Sequence, residues 1–206
     1  SDDDALLRAD IRRLGRILGD TVRDQDGAGV FDLDELIRQT SIRFRRDDDL
    51  QAKHELETLL NSLSPAQSRH VVRAFSYFSH LSNIAEDQHH IRRSRSHALA
   101  GSIQHEGNLA FAIEKSRSAG IAETAISGFF SQAHIRPVLT AHPTEISRRT
   151  LIQKYDQLAL GLQRLDQYKL TPAEQQAQRQ QLKCHITNAW HTDEIRKHKP
   201  TPIDEA

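Results

Sequence analysis

Apolar residues three and four positions apart recur through almost all of this 206-residue chain, and that spacing confines it to helices. Leu7, Ile11, Leu14, Leu18 and Val22 mark the first, entered through Asp2, Asp3 and Asp4, acids that a helix dipole favours at its start. Gly27 and Gly29 break it. Leu33, Leu36, Ile37 and Phe44 give a second stripe, and Asp47-Asp48-Asp49 separates it from a third holding Leu56, Leu59, Leu60 and Leu63. Ser64-Pro65-Ala66-Gln67 then offers a capping hydroxyl, a proline at the first helical position and a capping-box glutamine. Behind it Val71, Val72, Phe75, Phe78, Leu81, Ile84, Ala85 and Ile91 predict a long apolar face, so this helix is expected at the centre of a bundle. The stretch from Arg92 to Gly107 is polar and reads as a loop or a frayed helix end, with shorter helices following near Leu109–Ser118 and Ile121–Ser131.

At Ile135-Arg136-Pro137-Val138-Leu139-Thr140 the pattern changes to a short, β-branched run closed by Ala141-His142-Pro143. It reads as the single strand of the chain. Two long helices follow, near residues 144–170 and 172–197. Thr171-Pro172-Ala173-Glu174 is a capping box with proline at the first helical position, so the connection is one tight turn and the pair is predicted to form an antiparallel hairpin. Ile152, Tyr155, Leu158, Leu162 and Leu165 would face Leu182, Ile186, Ala189 and Trp190. The fold class is therefore mainly α, a helical bundle with one short strand near 135–140. Residues 1–133 read as an N-terminal helical region, and residues 134–206 as the strand, a histidine turn and the hairpin.

Lys plus Arg and Asp plus Glu both number 28, which removes the electrostatic case for nucleic acid or an anionic membrane as partner. No apolar run is long enough for a membrane span, and Ser-Asp-Asp-Asp is no signal peptide, so a soluble cytoplasmic protein is expected. A single cysteine, Cys184, excludes a disulfide framework and any multi-thiolate metal site within the chain. Neighbouring His89 and His90 point to different sides of a helix and read as a solvated face rather than a metal site. The absence of methionine and the stop at Pro202-Ile203-Asp204-Glu205-Ala206 suggest an excised part of something longer.

One stretch reads as chemistry. Pro143 disfavours the α region for His142 and holds it extended at the strand end. Thr144 can cap the next helix, whose first-turn N–H groups make an anion site beside the imidazole, with Arg148 and Arg149 adding positive charge one turn on. Such a helix end favours the neutral imidazole, able to act as a base. On spacing alone, a turn histidine that merely closes a strand is the better reading.

Resemblance weighs against that. Val138-Leu139-Thr140-Ala141-His142-Pro143-Thr144-Glu145-Ile146-Ser147-Arg148-Arg149 resembles the histidine signature of phosphoenolpyruvate carboxylase along its whole length. Trp190-His191-Thr192-Asp193-Glu194-Ile195-Arg196, with Pro200 and Pro202-Ile203-Asp204-Glu205-Ala206 behind it, is similar to the segment that follows in bacterial members. Ala74-Phe75-Ser76 and Leu81-Ser82-Asn83-Ile84-Ala85-Glu86 are similar too.

The resemblance implies a carboxy-lyase, here its N-terminal portion, within a larger helix-rich (β/α) barrel enzyme. That family fixes carbon dioxide by joining bicarbonate to phosphoenolpyruvate, giving oxaloacetate for the tricarboxylic acid cycle and inorganic phosphate, with Mg²⁺ or Mn²⁺. His142 would assist carboxyphosphate breakdown and carbon transfer. Thr144, Glu145, Arg148, Arg149, Asp193 and Arg196 would support it. The metal ligands, glycine-rich loop and catalytic lysine would lie in the remainder of the same polypeptide, a homotetramer at full length, and the 206 residues alone would not turn over. The competing reading is a non-catalytic helical protein-interaction module, against which only the stretch around His142 argues.

Overall fold

The structure is a computed structural model that describes residues 2–101, 108–138, 149–167 and 169–192. Among them are eight helices: α1 (Asp2–Asp26), α2 (Ala28–Asp47), α3 (Leu50–Ser62), α4 (Pro65–Leu99), α5 (Leu109–Ser118), α6 (Glu123–Gln132), α7 (Arg149–Gln167) and α8 (Pro172–Trp190). Their boundaries follow local chemistry. Gly27 turns the chain at φ +96°, a conformation glycine adopts without a Cβ penalty. Asp49 caps α3 by accepting from the Gln51 and Ala52 amides at 2.9 and 3.0 Å. Ser64 and Gln67 exchange reciprocal bonds at the start of α4, and Thr171 and Glu174 do the same at α8.

The chain divides into two compact units, Ser1–His89 with Ser147–Arg196, and His90–Ile146 with Lys197–Ala206. The first unit holds α1 to α3, α4 as far as His89, and the α7–α8 hairpin. Its core joins Leu14, Leu18 and Val22 of α1, Ala74, Tyr77, Leu81 and Ala85 of α4, Leu158 and Leu162 of α7, and Leu182, Ile186, Ala189 and Trp190 of α8. Each leucine fully withdrawn from water contributes about 1.5–3 kcal/mol. Thr21, wholly buried among them, satisfies its hydroxyl on the Ile17 carbonyl at 2.9 Å.

The hairpin forms with the expected facing residues, except that Leu151 is buried while Ile152 is 47% exposed. The long central helix turns differently from its expected face. Val71, Ala74, Tyr77, Leu81, Ala85 and His89 are buried, Val72 and Ile91 are exposed, and Phe75 and Phe78 are only half-buried. With apolar side chains on several sides of α4, packing chooses among them. Tyr77 goes inward because its hydroxyl finds carbonyl partners, Ala189 and Thr192, at the end of α8. His89 is likewise buried, correcting its reading as part of a solvated face.

In the second unit α4 continues helical to Leu99, through part of the stretch read as a loop or frayed end, and α5 and α6 carry no buried residue. The expected strand does not form over Ile135 to Val138. These residues lack regular structure, and Ile135 and Val138 are 94% and 82% exposed. A strand exists only by exchanging backbone bonds with a neighbour, and among the described residues nothing pairs with this segment. Leu139 and Thr140 lie outside the described residues.

Candidate functional site at the open end of the hairpin

Of the candidate site residues, Arg149 is described: it is the first residue of α7, and its side chain is exposed. His142, Thr144, Glu145, Arg148, Asp193 and Arg196 lie outside the described residues. What the structure defines is where the chain enters and leaves on either side of them. The helices of the hairpin run antiparallel, with Gly161 against Leu182 and Gln178, and Lys154 against Asn188 and Thr192. Arg149 and Thr192 therefore stand at the same end of the hairpin.

That end is tied down from several directions. The last four carbonyls of a helix have no partner within its regular ladder; of those in α8, the Asn188 and Ala189 carbonyls are met by side chains of two other helices. The Tyr77 hydroxyl of α4 donates to the Ala189 carbonyl at 2.7 Å and reaches the Thr192 carbonyl at 3.1 Å. Lys154 Nζ of α7 donates to the Asn188 carbonyl at 2.8 Å and to Thr192 Oγ1. From α1, Asp26 Oδ2 accepts from the buried Trp190 indole N–H at 2.8 Å, and Gln25 Oε1 pairs with His191 Nε2 at 2.8 Å. α8 stops at Trp190, short of the expected Lys197, with His191 as its C-terminal cap.

Behind Trp190 lies a cluster of ionisable groups from three helices. His70 Nε2 stands 3.6 Å from Asp34 Oδ2, and His70 Nδ1 stands 3.9 Å from Asp26 Oδ2, both too long for hydrogen bonds. The Arg73 guanidinium lies 4.1 Å over the Trp190 ring. Neither Asp34 oxygen has a hydrogen-bond donor. Burial, and then the Asp26 charge, push the Asp34 carboxyl up to about 7. Burial pulls His70 below its ordinary range; the Asp26 charge opposes this and Arg73 adds to it. The cluster packs against the indole, but it involves none of the candidate residues around His142.

A family model described as phosphoenolpyruvate carboxylase matches residues 7–206. The chain belongs to the phosphoenolpyruvate carboxylase family. It is similar to the phosphoenolpyruvate carboxylases of Azoarcus sp., 54% identical over 205 residues, and of Aromatoleum aromaticum, 52% identical over 204 residues. It is also 48% identical over 204 residues to that of Azorhizobium caulinodans. Each comparison covers 99% of this chain and 22% of the relative, so the chain spans about a fifth of the length of the phosphoenolpyruvate carboxylases it matches.

A divalent cation, which phosphoenolpyruvate carboxylases generally need, finds no ligand set here: among the described residues no three His, Cys, Asp or Glu side chains gather to hold one. Nor is any described helix long and apolar enough to cross a membrane. Sequence reasoning missed Tyr77, Lys154 and the Asp26–Asp34–His70 cluster. The only available signal was that Lys154 follows the carboxylase signature by one helical turn or so; the others come together from remote parts of the chain.

Proposed function

We propose that this chain is the N-terminal portion of an enzyme that carboxylates phosphoenolpyruvate with bicarbonate, giving oxaloacetate and inorganic phosphate. In this reading a bicarbonate oxygen attacks phosphorus, forming carboxyphosphate and the enolate of pyruvate. His142, as a neutral base, takes the carboxyl proton of carboxyphosphate as it divides into phosphate and carbon dioxide, and the enolate carbon then attacks the carbon dioxide. Thr144, Glu145, Arg148, Arg149, Asp193 and Arg196 support this centre. The remaining machinery, including the ligands for Mg²⁺ or Mn²⁺, belongs to the rest of the polypeptide within a helix-rich (β/α) barrel, so the 206 residues alone are inactive. The full enzyme works in the cytoplasm as a homotetramer and replenishes the tricarboxylic acid cycle.

The observation that carries this reading is the family match from residue 7 to residue 206, which includes the whole stretch around His142. The common end of Arg149 and Thr192 supports it, because the two signature stretches join the hairpin there. The test is His142→Asn in the full-length enzyme, with phosphate release and oxaloacetate formation followed together. Oxaloacetate should fall by roughly 10²–10⁴-fold, the contribution of a positioned acid–base group. Phosphate release with pyruvate should persist, since the first step takes no proton from His142. Oxaloacetate formation at the wild-type rate would overturn the role.

A further inference from the structure

His70 lies between two carboxyl groups, with each ring nitrogen facing one of them: Nδ1 is 3.9 Å from Asp26 Oδ2 of α1, and Nε2 is 3.6 Å from Asp34 Oδ2 of α2. A neutral imidazole carries one N–H and one lone pair, so it cannot donate to both. Asp26 Oδ2 is already an acceptor, taking the Trp190 indole N–H at 2.8 Å, so the imidazole hydrogen belongs on the Nδ1 side. The Nε2 lone pair then faces Asp34. Among the described residues, His70 Nε2 and both Asp34 oxygens are buried without a hydrogen-bond partner. An ionised Asp34 sets lone pair against lone pair there, a costly arrangement for buried polar atoms. A protonated Asp34 has the donor that Nε2 lacks, and closing the 3.6 Å gap to hydrogen-bond length takes less than about 1 Å.

The surroundings favour that neutral arrangement over an ion pair. Facing the two groups are Asp26 from α1, Arg73 from α4 itself and the Trp190 ring from α8, which meets the imidazole edge to face at 5.6 Å between centroids. On α2, the neighbouring Glu35 is turned to Arg38. Burial disfavours the imidazolium, and Arg73 adds to this against the pull of Asp26. Burial also favours the carboxylic acid form of Asp34, and the Asp26 charge adds to it. α2 is a helix for which one such contact matters. Among the described residues, the buried core cluster takes no member from α2, which reaches it through the partly buried Val30 and Phe31.

We propose that Asp34 and His70 form a pH-operated latch: protonated Asp34 donates its hydroxyl to the Nε2 lone pair of neutral His70, tying α2 to α4, and ionised Asp34 releases it. The latch is closed below a pH of about 7 and open above it. It involves no substrate and does not rest on the carboxylase reading above.

The test uses the full-length enzyme, as wild type and as Asp34→Asn, whose amide N–H donates to Nε2 wherever the imidazole is neutral. Hydrogen exchange of α2 peptides, corrected for the intrinsic pH dependence of exchange and referred to α8 peptides, is followed by mass spectrometry at about pH 6 and about pH 8. Crystal structures at the same two pH values give the distance from Asp34 Oδ2 to His70 Nε2. Wild-type α2 should lose about 5- to 10-fold in protection between the lower and the higher pH, the factor that one net hydrogen bond sustains. The distance should be within about 3 Å at the lower pH and longer at the higher. Asp34→Asn should keep the low-pH protection at both. The absence of a pH step in the wild type would overturn the proposal. So would a loss of α2 protection at both pH values in Asp34→Asn, because the contact would then be an ion pair. A wild-type step with the two groups no closer at low pH would also overturn it, leaving burial as the cause. If the variant does not fold, the wild-type distances decide alone.

Discussion

Gly161 of α7 lies directly against Leu182 of α8: a Cβ added at the glycine would come within 2.7 Å of Leu182 Cδ2 and 3.1 Å of Gln178 Nε2. Leu182 is fully buried, so its methyl has nowhere to go. Gly161→Ala gains up to about 1 kcal/mol of helix propensity but incurs overpacking of about 1–3 kcal/mol, and is expected to destabilise on balance. Gly128→Ala in α6, with nothing within 4 Å of the new Cβ, should instead stabilise by about 0.5–1 kcal/mol. Urea melts of the two variants should move in opposite directions.

Tyr77 is 2% exposed, packs on Trp190 at 5.3 Å between ring centroids, and carries the hydroxyl that closes the end of α8. Tyr77→Ala should cost about 3–5 kcal/mol, since it opens a cavity and removes the hydroxyl bond to the end of α8. Phe75→Ala, at a half-buried position on the flank of the same helix, should cost clearly less. Equal losses in a denaturant melt would show that the face of α4 is wrongly assigned.

Asp34 makes stability depend on pH. Its carboxyl titrates near 7 when folded, well above the usual carboxylate range, so the folded chain keeps a proton that the unfolded chain has released. Stability from this group therefore falls as pH rises from about 4 to about 7. His70 is depressed instead, so its contribution is present above its unfolded value and lost as pH falls through the folded one. Asp34→Asn removes the first dependence alone. It should match the wild type at about pH 4 and exceed it by about 1–2 kcal/mol at about pH 8, once solvent screening at this partly exposed site is allowed for. Urea melts at both pH values check the sign.

The turn into α8 rests on Thr171, whose hydroxyl accepts from the Glu174 amide at 3.3 Å while the Glu174 carboxylate accepts from the Thr171 amide at 2.7 Å. Thr171→Ala should cost about 1 kcal/mol in a thermal melt, and Thr171→Ser should be close to neutral. A neutral alanine variant would mean that the hairpin turn is set by packing alone.

That turn was legible beforehand because everything it needs lies within four residues of itself: a hydroxyl, a proline and a carboxylate at the spacing a first helical turn demands. The same holds for Ser64 and Gln67, for the break at Gly27, and for the hairpin whose facing stripes are spaced at the helical period. The stretch around His142 was legible as a motif for the same reason, since a family signature is written in consecutive residues.

Local pattern by itself determined where most helices begin and that the last two pair. It could not decide that Ile135 to Val138 would stay out of a sheet, because a strand is a property of two segments and not of one. Nor could it choose Tyr77 over Val72 and Phe75 as the inward side of α4, because that choice depends on carbonyls more than a hundred residues further along the chain. Asp26, Asp34 and His70 meet around Trp190, and Lys154 meets Thr192, only once helices from distant parts of the chain are packed. Hydrogen bonds between elements carry no sequence period, so the tertiary structure alone decided them.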